Sequence, residues 1–163
     1  MAAPFARRRD GGVDVTLAEH EATLVRSIVD QMDQVLEEPE GNPHTIRLFP
    51  LAYRDDADAQ ADFARLMTGE LLDGKRNAIR SVTGTLDRGG IKRGSWRVRL
   101  TPDEAQDWLA VLNDARLTLG TRLDVTEQTY DREIDPDDPN AMGHEIFRYL
   151  GYLEEWLVDA LMG

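Results

Sequence analysis

The chain has 163 residues, a formal net charge of −12 and 41% hydrophobic side chains. A single domain over residues 1–163 is the expectation, with a core able to bury about 70% of the unfolded surface, and global disorder is not expected. There is no cysteine, which excludes disulfides, thiol catalysis, Cys-ligated zinc and a cysteine redox switch; no apolar run approaches the roughly 18 residues of a membrane span.

In chain order, Arg7–Arg9 precede no apolar stretch, so the N-terminal residues do not read as a secretory signal, and the cytoplasm is the expected location. Phe5 to Arg9, then Asp10-Gly11-Gly12, then Val13 to Leu17 predicts a β-hairpin, because Asp-Gly supplies the positive φ of a tight turn and Val13, Val15 and Leu17 alternate with polar residues. Thr16-Leu-Ala-Glu19 has the spacing of a capping box and predicts a helix to about Glu38, with Val25, Ile28, Val29, Met32, Val35 and Leu36 inward. Pro39 to Pro43 ends it, and Leu48 to Tyr53 is a connection anchored by its aromatics. Ala57 to Leu72 predicts a second helix, with Ala59, Phe63, Leu66 and Met67 inward. Gly74 breaks or kinks it, and Lys75 to Leu86 forms a third with Ala78, Ile79, Val82 and Leu86 inward.

Gly89-Gly90 and Gly94 predict a flexible loop, after which Trp96-Arg-Val-Arg-Leu100 alternates as a strand. A lone hairpin is marginal in water, so this strand is expected to complete a small antiparallel sheet with it. Thr101-Pro-Asp-Glu104 joins a Thr N-cap, proline at the first helical position and a closing glutamate, and predicts a helix to about Leu123. Asp124 to Asn140 reads as an acidic loop, and Ala141 to Leu161 as the last helix. The fold class is therefore mainly α, about five helices, with a small sheet formed by the N-terminal hairpin and a strand near 96–100.

Charge is unevenly distributed. Residues 102–163 hold 4 basic and 15 acidic side chains. Between Lys75 and Leu100 stand Lys75, Arg76, Arg80, Arg88, Lys92, Arg93, Arg97 and Arg99 against the single acid Asp87. Such segregation makes a local field that selects partners. If helix, loop and strand place these cations on one face, joined by Arg7 and Arg9, the surface suits phosphates or an acidic protein. Alternatively Asp14 and the acidic C-terminal half neutralise the arginines and leave a balanced, solvated face. Base-stacking aromatics are missing from the block except Trp96.

Other chemistry has little support. Asp131 to Asp137 alternates oxygen ligands as a calcium loop does, but Pro136 stands where the turn glycine belongs and Met142 where the bidentate glutamate belongs. His20, His44 and His144 lack ligand spacing. Ser27, Ser81 and Ser95 lack a nucleophile-elbow context, and Gly89 to Ser95 does not match a phosphate-binding loop. No metal, cofactor or catalytic residue is expected. Asn113, Arg116 and Gly120 share one helical stripe, and Gly151 interrupts the last helix, which points to close helix crossings.

Three segments together carry a resemblance: Leu48 to Asp56 with its following helix, Trp108 to Leu123, and Tyr149-Leu-Gly-Tyr-Leu-Glu-Glu-Trp-Leu157. They resemble the actinobacterial domain-of-unknown-function family that includes the oxidative-stress transcription regulator AosR. The resemblance covers nearly the whole chain. It implies a non-enzymatic regulator acting in transcription, through DNA or through a protein of the transcription machinery such as a sigma factor of RNA polymerase. The alternative is a protein–protein adaptor in stress response or protein turnover without DNA contact, and a homodimer is an open possibility. Without cysteine, any oxidant response must come from a partner or from one of the five Met residues. The residues expected to contact nucleic acid or partner are Lys75, Arg76, Arg80, Lys92, Arg93, Arg97 and Arg99.

Overall fold

A computed structural model describes residues 3–37, 57–126 and 133–163, with residues 57–68 described by their backbone alone. The expectations for Pro39–Pro43, for Leu48–Tyr53, for the inward side chains Ala59, Phe63, Leu66 and Met67, and for His44, Asp131 and Arg132 lie outside the described residues. In order, the elements are β1 (Phe5–Arg7), β2 (Val13–Leu17), α1 (Glu19–Val35), α2 (Ala57–Arg88), β3 (Gly90–Lys92), β4 (Ser95–Leu100), α3 (Pro102–Arg122) and α4 (Ala141–Met162). The class is mainly α with a small antiparallel sheet, but the described helices number four, not five.

The missing break is at Gly74, which lies inside the continuous helix α2. A glycine there costs a helix only about 1 kcal/mol. The helix recovers this by burying Ala78, Ile79, Val82 and Leu86 in the core, with Leu72 packed against it.

The sheet order is β1-β2-β4-β3, with each neighbouring pair antiparallel. The first hairpin closes through Gly11 at φ +88°, with the Arg8 amide donating to the Gly12 carbonyl at 2.8 Å. The expected Gly-rich loop is instead a second hairpin. Arg93 (φ +54°) and Gly94 (φ +80°) are its two turn residues, both in the left-handed region that a tight two-residue turn requires. Strand β3 has three residues, too few for alternation to register in the sequence.

Helix α1 begins two residues later than its capping-box spacing predicts. Thr16 belongs to β2, paired with Arg97, and Ala18 is the N-cap. Glu21 takes the reciprocal role expected of Glu19, its Oε1 accepting the Ala18 amide at 3.0 Å. The strand wins because Val13, Val15 and Leu17 are already committed to the buried face. At α3 the local signals hold in full: Thr101 Oγ1 accepts the Glu104 amide at 3.1 Å, and Glu104 Oε1 accepts the Thr101 amide at 2.9 Å.

The buried face of the sheet carries Phe5, Val13, Val15, Leu17, Trp96, Val98 and Leu100. The helices cover it, and Trp108 of α3 is the centre of the junction. Its ring meets Phe5 edge-on at 6.1 Å and Trp96 at 6.4 Å. Its Nε1 donates to Thr85 Oγ1 of α2 at 2.8 Å, and that hydroxyl donates to the Val82 carbonyl at 2.7 Å. All of these atoms are buried, so the indole N–H has its partner inside the core.

Helix α4 packs on α3 where Gly120 permits it: a Cβ at that position would stand 3.0 Å from the Phe147 ring. Arg116 lies over the same ring at 5.1 Å, in line with the close crossing expected from their shared stripe; Asn113 is exposed and Gly151 half-buried. Tyr149 Oη donates to Glu21 Oε2 at 2.7 Å, so the residue that caps α1 also holds α4.

Replacing Thr85 with Val keeps the shape but leaves the Trp108 N–H without an acceptor, and should cost about 1–3 kcal/mol. Urea unfolding should show a lower midpoint at unchanged slope, with Thr85→Ser close to the parent chain.

Candidate functional site: an open basic sheet face

Alternation sorts the side chains of β4. Trp96, Val98 and Leu100 turn inward, and Arg97 and Arg99 turn to the other side. Cross-strand pairing adds Asp14 opposite Arg99, Thr16 opposite Arg97, and Gly90 opposite Arg97 on the outer edge. Lys92 pairs with Ser95 on this side, and Arg93 occupies the adjoining turn. The result is a shallow, open depression of about 850 Å³, bordered by Lys92, Arg93, Arg97, Arg99 and Arg88.

The cations here differ in how far their charge is neutralised. Arg99 Nε stands 3.5 Å from Asp14 Oδ1, and Arg99 remains 80% exposed. Arg97 donates to the Lys92 carbonyl at 3.1 Å and to Thr16 Oγ1 at 3.4 Å, which orients the guanidinium without a countercharge. Lys92 and Arg93 are exposed at the hairpin tip. The expected quenching by Asp14 is present but divided, since its Oδ1 also accepts from Arg8 NH1 at 2.9 Å.

Arg8 is the residue sequence reasoning missed. Arg7 and Arg9 were expected to join the face, but Arg7 shares the phase of Phe5 in β1, and its guanidinium reaches the Leu161 carbonyl at 3.4 Å. Arg8 instead packs beneath Asp14 and donates to the Leu100 carbonyl at 2.9 Å. The phase of β1 relative to Phe5 was the available signal. Asp10 closes the adjoining loop by accepting the Gly12 amide at 2.8 Å, which holds its carboxyl below its ordinary value.

The helical part of the basic block goes elsewhere. Lys75 Nζ lies 3.0 and 3.1 Å from the two Asp114 oxygens and fastens α2 to α3. Burial raises the Asp114 carboxyl, with Lys75 pulling the other way. Arg76 NH2 donates to the Leu36 carbonyl at 2.8 Å and so satisfies the C-terminal end of α1. Arg80 is exposed on α2, near Asn77. Neither Lys75 nor Arg76 lines the depression, so the structure brings together Lys92, Arg93, Arg97 and Arg99 from the expected set and leaves Lys75, Arg76 and Arg80 apart from them.

Arg88 closes α2 at the rim. It forms a two-pronged pair with Glu104 at 2.9 and 3.0 Å and donates to the Arg99 carbonyl. The Arg88 hydrogen bonds hold Glu104 below the usual carboxylate range. Among the described residues, no group of three His, Asp or Glu side chains converges as metal ligands would, and no helix is long and apolar enough to cross a membrane.

The site so defined is an open, positively charged face on a small sheet. The chain belongs to the domain-of-unknown-function family DUF2017, which matches residues 2–161. It is 29% identical to the oxidative stress regulator AosR of Mycobacterium tuberculosis (strain ATCC 25618 / H37Rv) and to that of Mycobacterium bovis (strain ATCC BAA-935 / AF2122/97), over 91% of this chain and 81% of each relative. It is 28% identical to the putative oxidative stress regulator AosR of Mycobacterium leprae (strain TN), over 90% of this chain and 81% of that protein. No solved structure matches.

The Arg88–Glu104 pair has a defined pH signature. Glu104 titrates lower in the folded than in the unfolded chain, so the pair's stabilisation is complete above the ordinary carboxylate range and disappears as pH falls through the lowered folded value. Arg88→Met should lose about 1 kcal/mol or less at pH 7, Arg88 being half exposed. Urea unfolding should show that difference vanishing in acid, and an NMR titration should place Glu104 higher in the variant than in the parent.

Proposed function

We propose that this chain is a non-enzymatic regulator of the oxidative-stress type that acts by docking a protein of the transcription machinery, such as a sigma factor, through the open sheet face. The observation that carries this reading is the grouping of Lys92, Arg93, Arg97 and Arg99 around one depression, with Arg97 oriented by Thr16 and the Lys92 carbonyl. The regulatory role rests on the relatives named oxidative stress regulators. Four cations and one carboxylate on a small sheet suit an acidic protein surface, where complementarity sets partner choice and on-rate. The same face could neutralise about four phosphates at most, a short footprint for duplex DNA.

A second reading, an adaptor in stress response or protein turnover without DNA contact, is favoured by the 15 acidic against 4 basic side chains of residues 102–163, which repel a polyanion.

Affinity purification of the full chain from its native host separates the two. Under the main reading it recovers sigma or core polymerase subunits, and a Lys92→Glu/Arg93→Asn chain, altered only at the exposed tip of the second hairpin, loses them. Protease or chaperone components in place of polymerase favour the adaptor. Promoter DNA followed by fluorescence anisotropy gives a third outcome: tight binding with a log–log salt slope of about −0.9 per phosphate makes DNA itself the partner.

A further inference from the structure

The sheet has two edges, and they differ. Strand β1 lies against the end of α4, where the Arg7 guanidinium reaches the Leu161 carbonyl. Strand β3 is exposed at all three of its residues. Ile91 in its middle is 52% exposed, although it pairs with Trp96 and so takes the phase of the buried face. Lys92 and Ser95 flank the two-residue turn and are the hydrogen-bonded pair that closes it. Pairs alternate along an antiparallel ladder, so Ile91 and Trp96 form the next, non-bonded pair, and the Ile91 amide and carbonyl point away from β4 to the open edge.

We propose that this edge takes an extended acidic segment of a protein partner as a fifth strand, antiparallel to β3 and centred on Ile91. The inference rests on the docking role proposed above and names how the partner is held. A single outward residue exchanges both of its bonds with one partner residue only in an antiparallel pair. The partner residue bonded to Ile91 lies on the Ile91–Trp96 side of the sheet, where an apolar side chain covers Ile91. Its two neighbours lie on the other side, one beside Lys92 and one beside Gly90, which pairs with Arg97.

Gly90 is not at positive φ, and a Cβ there would meet nothing within 4 Å. Neither backbone nor packing requires a glycine at this position. What the glycine leaves is an open path across β3 to Arg97, whose Nε already turns toward β3 to donate to the Lys92 carbonyl at 3.1 Å. A segment that reads acidic, apolar, acidic therefore meets a cation on each side and Ile91 in the middle. In strand addition the main-chain bonds give affinity and the alternate side chains give specificity. A short edge that carries a lysine resists indiscriminate pairing, so the charge pattern of the incoming segment decides which strand is accepted.

The test is an NMR titration of the full chain with an acetylated heptapeptide of alternating Glu and Val, against a scrambled peptide of the same composition. The alternating peptide should bind, slow hydrogen exchange at the Ile91 amide, and outcompete the scrambled one. Ile91→Pro deletes the outward N–H at a place where an edge strand tolerates proline, and should weaken binding about tenfold. Ile91→Val keeps the N–H and should bind as the parent does. Gly90→Val closes the path to Arg97 and should also weaken binding, with a urea midpoint no lower than the parent's. Binding weaker than about 1 mM, equal binding of the scrambled peptide, or full binding by both Ile91→Pro and Gly90→Val overturns the proposal. In the purification from the native host, polymerase subunits lost by Lys92→Glu/Arg93→Asn but kept by Ile91→Pro overturn strand addition and leave the docking face in place. A parent chain that recovers no polymerase subunits overturns the docking reading instead, and the peptide titration still decides the edge.

Discussion

The indole of Trp108 is the contact on which the rest of the structure depends. It is 1% exposed and touches three elements at once: Phe5 in β1, Trp96 in β4 and, through Nε1, Thr85 in α2. Aromatic contacts of this geometry add to burial, and the single hydrogen bond fixes the rotation of the ring. Four residues beyond Trp108, Leu112 continues the same face of α3, and Gly120 then lets α4 approach. A sheet of short strands is marginal by itself, and here it is held because its inner face closes on that ring.

One-sided burial is also what creates the exposed basic face. Every inward residue of β2 and β4 is apolar, so every outward one is free to be polar, and the pleat places Arg97 and Arg99 side by side. The short β3 hairpin extends this face by carrying Lys92 and Arg93 to its edge. A face that contributes little to the core tolerates repulsion among cations better than the interior would, and Asp14 relieves it further. Its carboxylate meets Arg99 above and Arg8 below, which keeps the sheet together without removing the positive field.

The same kind of side chain does opposite work a few turns away. Lys75 is partly buried against Asp114, where an unpaired charge would be costly, and Arg76 satisfies carbonyls at the end of α1. Seen along the chain, Lys75 to Arg99 is one basic run. In space it divides into cations that hold helices together and cations that face solvent.

Where a structural choice depends on neighbours in sequence, it was legible. The Thr101 capping box, the Asp10-Gly11 turn and the alternation of Val13 to Leu17 and Trp96 to Leu100 are set by local hydrogen bonding and by the pleat, and they form as the residues indicate. Family membership was legible as well, carried by segments that include the core residues Trp108 and Leu150. The choices that escaped were contests between a local preference and a distant contact. Thr16 could cap a helix or extend a strand, and its pairing with Arg97 decided it. Gly74 weakens a helix, and burial of the turns beyond it outweighed that cost. So the sequence by itself determined the alternation of β2 and β4, the Thr101 cap and the Asp10-Gly11 turn, because those depend on interactions within a few residues. Only the tertiary structure decided which charges are spent and which are presented, because the partner that neutralises Lys75 lies 39 residues away.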